Sequence, residues 1–291
     1  MEDAMKSKRS GKMILMILVI VSILIVSCGN GDSKASVAAD EKSVSSQLDE
    51  IMKRGTLKVG LSTFVPWAML NKDGELIGFE VDVAKQLAKD LGIEIEFIQT
   101  KWSGIIPALL TAKFDIIIGG MSVTPERNIS VNFTDAYEYS GQSIVANKAR
   151  TGGLTGLENF NDENIILAAR TGSTSVVAIE RFLPNAELRL FDDEPQGIQE
   201  LLNGRVDAWV SSFPFPQLQA EKYPDTLYIP IELEIFQEEP IAFAVRKGEH
   251  DFMNFLNNWI TLNWAGGFLD ERYRYWFMDE EWMDQVDLGS E

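Results

Sequence analysis

Two stretches of this chain alternate short apolar strands with amphipathic helices, and that alternation restricts the fold more than any other feature. In the first, residues 57–61 form an apolar run. Residues 78–92 place Val81, Val83, Ala84, Leu87, Ala88 and Leu91 at helical spacing with charges between them. Residues 93–97 alternate apolar and acidic, residues 104–111 read as a helix entered through Ser103-Gly104, and residues 114–118 are apolar except for Asp115. Such a run suits a strand covered on both faces. The second stretch repeats the plan without repeating the sequence. Residues 165–169 predict a strand, Thr171-Gly172-Ser173 a turn, Thr174–Phe182 a helix, 188–191 a strand, 197–203 a helix closed by Gly204, and 208–210 a strand. A strand at 241–245 and helices at 252–260 and 267–276 follow. This order predicts an α/β fold in two units, each a mostly parallel sheet flanked by helices.

At 291 residues the chain has room for about two domains of ordinary size. Its 44 acids against 26 bases give a net charge of −18, which repels phosphate backbones and argues against a nucleic-acid partner. There is one cysteine, Cys28, and one histidine, His250. They leave no material for an intrachain disulfide, a Cys/His metal cluster or a Cys–His dyad. His250, in Lys247-Gly248-Glu249-His250-Asp251, reads as part of a solvated loop. We expect no metal and no cofactor.

Lys6, Lys8, Arg9 and Lys12 precede fourteen uncharged residues, 13–26. A transmembrane helix needs about twenty apolar residues, whereas a signal-peptide core needs about 7–15. The run ends in Ile25-Val26-Ser27-Cys28-Gly29, which resembles a bacterial lipobox. The resemblance implies cleavage before Cys28 and acylation of that cysteine. Losing four bases and two acids would take the net charge from −18 to −20. The polar residues behind Cys28 read as a tether. No later stretch is long and apolar enough to span a membrane, and no signalling domain is expected after the fold. The folded part is expected outside the cytoplasm, in the periplasm or at the cell surface, held to the membrane through Cys28.

Four motifs make the reading specific. They are Gly78-Phe79-Glu80-Val81-Asp82-Val83-Ala84, Trp102-Ser103-Gly104-Ile105-Ile106-Pro107-Ala108-Leu109, Gly119-Gly120-Met121-Ser122-Val123-Thr124-Pro125-Glu126-Arg127, and Phe133-Thr134-Asp135. In this order they resemble the family-3 extracellular solute-binding proteins, the polar amino-acid receptors of ABC importers. The resemblance implies a two-lobed periplasmic-binding-protein fold whose ligand cleft lies at a two-strand hinge, with crossings expected near residues 143–147 and 237–241. The expected layout is a lipoprotein signal peptide at 1–27, a flexible tether at 28–49, lobe 1 at 50–143 plus 241–280, lobe 2 at 144–240, and an acidic tail at 281–291. A small-molecule ligand, an ABC permease and the membrane are the implied partners, and a monomer is expected.

The residues offer a chemistry for each expected contact. The fork of Arg127 matches a carboxylate with two hydrogen bonds, and the resemblance assigns it the ligand's α-carboxylate. Ser122 and Gly120, on one turn, suit an ammonium, and a glycine lets a ligand approach the main chain. Arg170 through Thr174 lies between a strand and a helix, where free N–H groups favour an anion. There the resemblance gives Thr174 the carboxylate and makes Arg170 a basic position. Phe64 and Trp102 match an aromatic pair flanking the ligand side chain, with Trp67 a further wall. Ser212 stands where most similar receptors carry an aspartate for the ligand ammonium. Either Glu239 substitutes for it, or the ligand has no ammonium. Arg170 either meets a further ligand carboxylate or is neutralised by Asp192 or Asp193.

The same family contains an enzymatic branch, the cyclohexadienyl dehydratases, and residues 255–277 resemble it somewhat. Those enzymes carry an acid shortly after the lost aspartate, in an Asp-Ala-x-Glu context, whereas this chain reads Ser212-Phe213-Pro214-Phe215. A general acid is needed for elimination. We therefore expect a receptor for a small polar solute, foremost an amino acid, rather than an enzyme. A dehydratase-like activity and a receptor for a carboxylate lacking an ammonium are the alternatives.

Overall fold

A computed structural model of the chain describes residues 46–231 and 235–286. The expected signal peptide, Cys28 and the tether up to residue 45 lie outside the described residues, as do residues 287–291 of the expected tail. The end of the expected tether is structured: helix α1 (Gln47–Arg54) starts within it. Ser46 and Asp49 cap it reciprocally, each side chain accepting from the other's backbone N–H at 3.2 Å.

The first α/β series comprises β1 (Thr56–Leu61), β2 (Met69–Leu70), β3 (Leu76–Ile77), α2 (Phe79–Leu91), β4 (Glu94–Gln99), α3 (Ile105–Leu110), β5 (Ile116–Ile117), α4 (Pro125–Ser130) and β6 (Asn132–Phe133). A long strand, β7 (Glu138–Asn147), then leads through α5 (Lys148–Thr151) into the second series. That series holds β8 (Ile166–Arg170), α6 (Thr174–Phe182), β9 (Glu187–Phe191), α7 (Glu194–Leu202), β10 (Ala208–Ser212), α8 (Phe215–Lys222) and β11 (Leu227–Tyr228). The chain returns along β12 (Gln237–Ile241) to β13 (Ala244–Val245), α9 (His250–Ala265) and α10 (Phe268–Phe277).

The first sheet is ordered β4-β1-β5-β13-β6 and the second β11-β7-β10-β8-β9, with β12 on β7. The strands of the alternating pattern pair in parallel: β4 with β1, β1 with β5, β10 with β8, β8 with β9. Strands from elsewhere complete each sheet antiparallel, β13 in the first and β7 in the second. Both sheets are therefore mixed. In the second, period two sorts the side chains. Ile144, Ala146, Leu167, Ala169, Ala208 and Val210 enter one core, and Val145, Ala168 and Trp209 the opposite one. Burial on both faces explains the continuous apolar runs.

The hinge is β7 against β12, paired from Glu138↔Ile241 to Gln142↔Gln237. Residues 143–146 already pair with β10 in the second sheet, so the first crossing lies at Glu138–Gln142, ahead of the expected 143–147. Three expected boundaries also shift. Helix α7 starts at Glu194 rather than 197, because Asp193 caps it by accepting from Gln196 N–H at 3.0 Å. Helix α9 begins at His250, which is exposed at a helix start and not in a loop. The expected acidic tail opens with a 3₁₀ turn, Glu281–Gln285, that buries Trp282 in the first lobe's core.

Beside the hinge, the molecule buries two carboxylates. Glu80, in the first turn of α2, accepts from Gly120 N–H at 2.8 Å and Tyr137 O–H at 2.5 Å with one oxygen, while its other oxygen has no partner. Glu138 accepts from Trp67 Nε1 at 2.9 Å. Burial pushes the Glu80 carboxyl up to about 7, against the opposing pull of its two donors. Burial, together with the nearby Glu80 charge, pushes Glu138 well above the usual carboxylate range. A carboxyl raised on folding binds its proton more tightly in the native state. Its contribution is complete below the unfolded value of about 4.5 and is lost as pH rises to about 7. Glu80→Gln keeps an acceptor for both donors and cannot ionise. Thermal melts from pH 4.5 to 8 should show the variant gaining on the native protein by on the order of 3 kcal/mol across that range. A constant difference over the whole pH range would contradict the assignment.

Candidate functional site

The loop between β5 and α4 is stitched to the hinge. Val123 N–H donates to Pro240 C=O at 2.9 Å, Ala242 N–H to Met121 C=O at 3.2 Å, and Ser122 bridges Ile241. This fixes Ser122 where the first lobe faces the second. Gly120, at φ 66°, lies over Trp67, and a Cβ there would come within 3.2 Å of the indole. Thr124 caps α4 by accepting from Arg127 N–H at 3.1 Å, which presents the Arg127 side chain to the cleft.

Glu239 is the centre of the arrangement. It projects from the hinge strand β12, and its Oε2 accepts from Ser122 Oγ at 2.6 Å, Thr174 Oγ1 at 2.8 Å and Gln142 Nε2 at 3.1 Å. Its Oε1 accepts from Gln237 Nε2 at 3.0 Å, two residues back on the same strand face. The donors come from both lobes: Ser122 from the first, and Thr174 and Gln142 from the start of α6 and from β7. Ser212 lies opposite Gln142 in the β7–β10 register, with the two side chains 3.5 Å apart.

Arg127 donates to Ser122 C=O at 2.8 Å and Gly172 C=O at 3.1 Å, reaching the second lobe. Burial lowers its pKa, and the Glu239 carboxylate is the largest opposing influence. Trp102 Nε1 also donates to Gly172 C=O, at 3.2 Å. At the rim, Lys101 and Asp192 pair across the cleft at 2.6 Å. Phe64 stacks on Trp67 with centroids 4.6 Å apart and faces Phe215 of the second lobe at 5.4 Å.

Arg170 is buried, and its partner is Glu194, not Asp192 or Asp193. Its Nη1 donates to Glu194 Oε2 at 3.2 Å, and its Nε lies 3.0 Å from Oε1, off the hydrogen-bond line. Asp193 is engaged in capping α7 and Asp192 holds Lys101. The early start of α7 accounts for this, since it carries Glu194 into the interior. Burial lowers the pKa of Arg170 and raises that of Glu194, each opposed by the other's charge.

Eight of the nine expected residues, Phe64, Trp102, Gly120, Ser122, Arg127, Arg170, Thr174 and Ser212, line one small cavity between the lobes, and Glu239 bonds to two of them. Gln142, Gln237 and Glu194 escaped the sequence reading. Gln142 left a signal, a polar residue in the otherwise small and apolar run 141–146. Among the described residues, no cluster of His, Cys, Asp or Glu could hold a metal ion, and no helix is long and apolar enough to cross a membrane.

Comparison with known proteins gives the family. The chain is 29% identical over 231 residues to the L-cystine-binding protein TcyJ of Escherichia coli, covering 79% of this chain and 85% of that one. Its fold matches the ancestral amino acid-binding protein AncCDT-1, a precursor of cyclohexadienyl dehydratase, at 40% identity and a TM-score of 0.72, over 80% of this chain and 100% of that one. It also matches a putative ABC-transporter binding component from Wolinella succinogenes complexed with lysine, at 36% identity and a TM-score of 0.74, over 79% of this chain and 99% of that one. The sequence profile of one family covers residues 57–279, and the chain belongs to the bacterial extracellular solute-binding proteins, family 3.

Proposed function

We propose that this protein is a lipid-anchored extracytoplasmic receptor that binds an amino acid between its lobes and hands it to an ABC permease. The observation that carries the reading is that Arg127 and Glu239 stand at one cleft within electrostatic reach of each other without pairing directly: the arginine holds only backbone carbonyls and the carboxylate only neutral donors. One half-buried guanidinium and one buried carboxylate suit the carboxylate and the ammonium of one α-carbon. Glu239 takes the role left open by Ser212, as counter-ion to the ammonium. Ser122 and Thr174, which hold Glu239, are placed to share their hydroxyls with the ligand. The aromatic walls Phe64 and Trp102 exclude water, which strengthens both charged contacts. The lobes close around the ligand by bending at β7 and β12. One chain supplies every residue of this cleft, so a monomer suffices.

The relatives support the reading, being named as amino-acid-binding proteins or caught with an amino acid. Binding rather than elimination also fits the region after Ser212. There Phe213-Pro214-Phe215 offers no acid, and the Phe215 ring packs on Phe64.

Calorimetry against a panel of amino acids tests the reading. Arg127→Ala should weaken the best ligand by about 30-fold to several-thousand-fold, as expected for about 2–5 kcal/mol from a buried charged contact. A folded variant with native affinity would exclude the clamp. Anchoring has a separate test, motivated by the lipobox at residues 25–29. Cys28→Ser should release the protein from membranes while leaving ligand affinity unchanged. Persistent membrane association of the variant would argue against acylation at Cys28.

A further inference from the structure

The slot between the two aromatic walls is already filled, by the protein itself. The Arg170 guanidinium carbon lies 5.1 Å from the Phe64 ring centroid and 4.8 Å from that of Trp102. The attraction of both ring faces for a cation is thus used internally. Glu194 neutralises this arginine, and the two residues are 7% and 4% exposed. The pair is locked in place, because withdrawing one member leaves the other's charge buried without a partner.

We infer that the Arg170–Glu194 pair is a built-in occupant of the side-chain slot, restricting the receptor to amino acids with short, uncharged side chains and excluding long cationic ones. The inference rests on the receptor reading above. With Arg127 and Glu239 engaging the two charged groups on the α-carbon, the aromatic slot is what remains for the side chain. A ligand cation there would meet the charge of Arg170 on ring faces already covered. A ligand anion would meet Glu194. The remaining cavity, ≈ 20 Å³, has room for about one water. Beyond the pair lies a cavity of ≈ 300 Å³, which Arg170 and Glu194 both line. The pair lines both of these cavities and so stands between them, while a third cavity, of ≈ 480 Å³, is lined by Phe64 and Glu194 but not by Arg170.

Calorimetry on the full-length protein in detergent, with L-serine, L-alanine, L-arginine and L-lysine, tests the inference. In the native protein, arginine and lysine should bind at least tenfold more weakly than the better of serine and alanine. Arg170→Ala opens the slot to the neighbouring cavity and frees Glu194 as a counter-ion, so arginine and lysine should gain at least tenfold. In Arg170→Ala/Glu194→Gln, which leaves no unpaired buried charge, the slot stays open without its counter-ion, so the gain should be smaller than in Arg170→Ala. Native affinity for arginine or lysine equal to that for serine and alanine would overturn the inference and leave the receptor reading standing. No gain in a folded Arg170→Ala protein would also overturn it. If that variant does not fold, the native rank order decides. Failure of every amino acid to bind either protein would overturn the receptor reading and this inference with it.

Discussion

One carboxylate oxygen on the hinge takes hydrogen bonds from both halves of the molecule. Glu239 Oε2 accepts from Ser122 on the first lobe and from Thr174 and Gln142 on the second, while the rest of β12 pairs with β7. A buried carboxylate is costly unless its lone pairs are satisfied and an opposite charge is near. Those requirements dictate which residues stand around it: two hydroxyls, two amides and, within electrostatic reach, Arg127. The candidate binding chemistry is therefore built around the strands about which the lobes would bend. A charge change at Glu239 acts directly on the contacts between them.

The wall behind this centre is supported from below. Gly120 N–H is held by Glu80, and Trp67, over which Gly120 lies, is held by Glu138, the first residue of the hinge strand. Two acids with raised pKa values thus hold the main chain and the indole of the site, while the groups facing the cleft carry their own compensating partners. Arg170 with Glu194 repeats the principle on the aromatic side. Arg170 and Glu194 line the cavity of ≈ 20 Å³, and Glu239 and Glu80 hold residues that line it, Ser122 and Thr174 for the first and Gly120 for the second. Such convergence is expected where a site is organised in advance of its ligand.

How much of this the sequence disclosed follows from the range of the interactions concerned. Helix α6 appears as Thr174–Phe182 in both readings, because its apolar spacing and the Gly-Ser turn before it are local signals. The parallel strands were legible for the same reason. The first three residues of α1, Gln47–Asp49, fall in the expected tether because the polar run before them hides the helix start, although Ser46 and Asp49 form a capping box. Residues 143–147 of β7 read as a crossing, since a strand serving a hinge and a sheet at once has no single pattern. The nine candidate site residues came from motif resemblance and from the missing aspartate at Ser212, and they do meet in space. Glu194 is not legible in the sequence because the charge beside Arg170 depends on where α7 begins. That turns on Asp193 acting as a cap rather than as an ion-pair partner.

The claim most open to direct test is that the site recognises both charges of an amino acid, with Glu239 in place of an aspartate at position 212. Calorimetry with the tightest-binding amino acid and with its own 2-hydroxy analogue isolates the ammonium, since the two share carboxylate and side chain. The account predicts that the analogue binds at least tenfold more weakly. Equal or tighter binding of the hydroxy acid would contradict it and mark the cleft as a site for carboxylates alone.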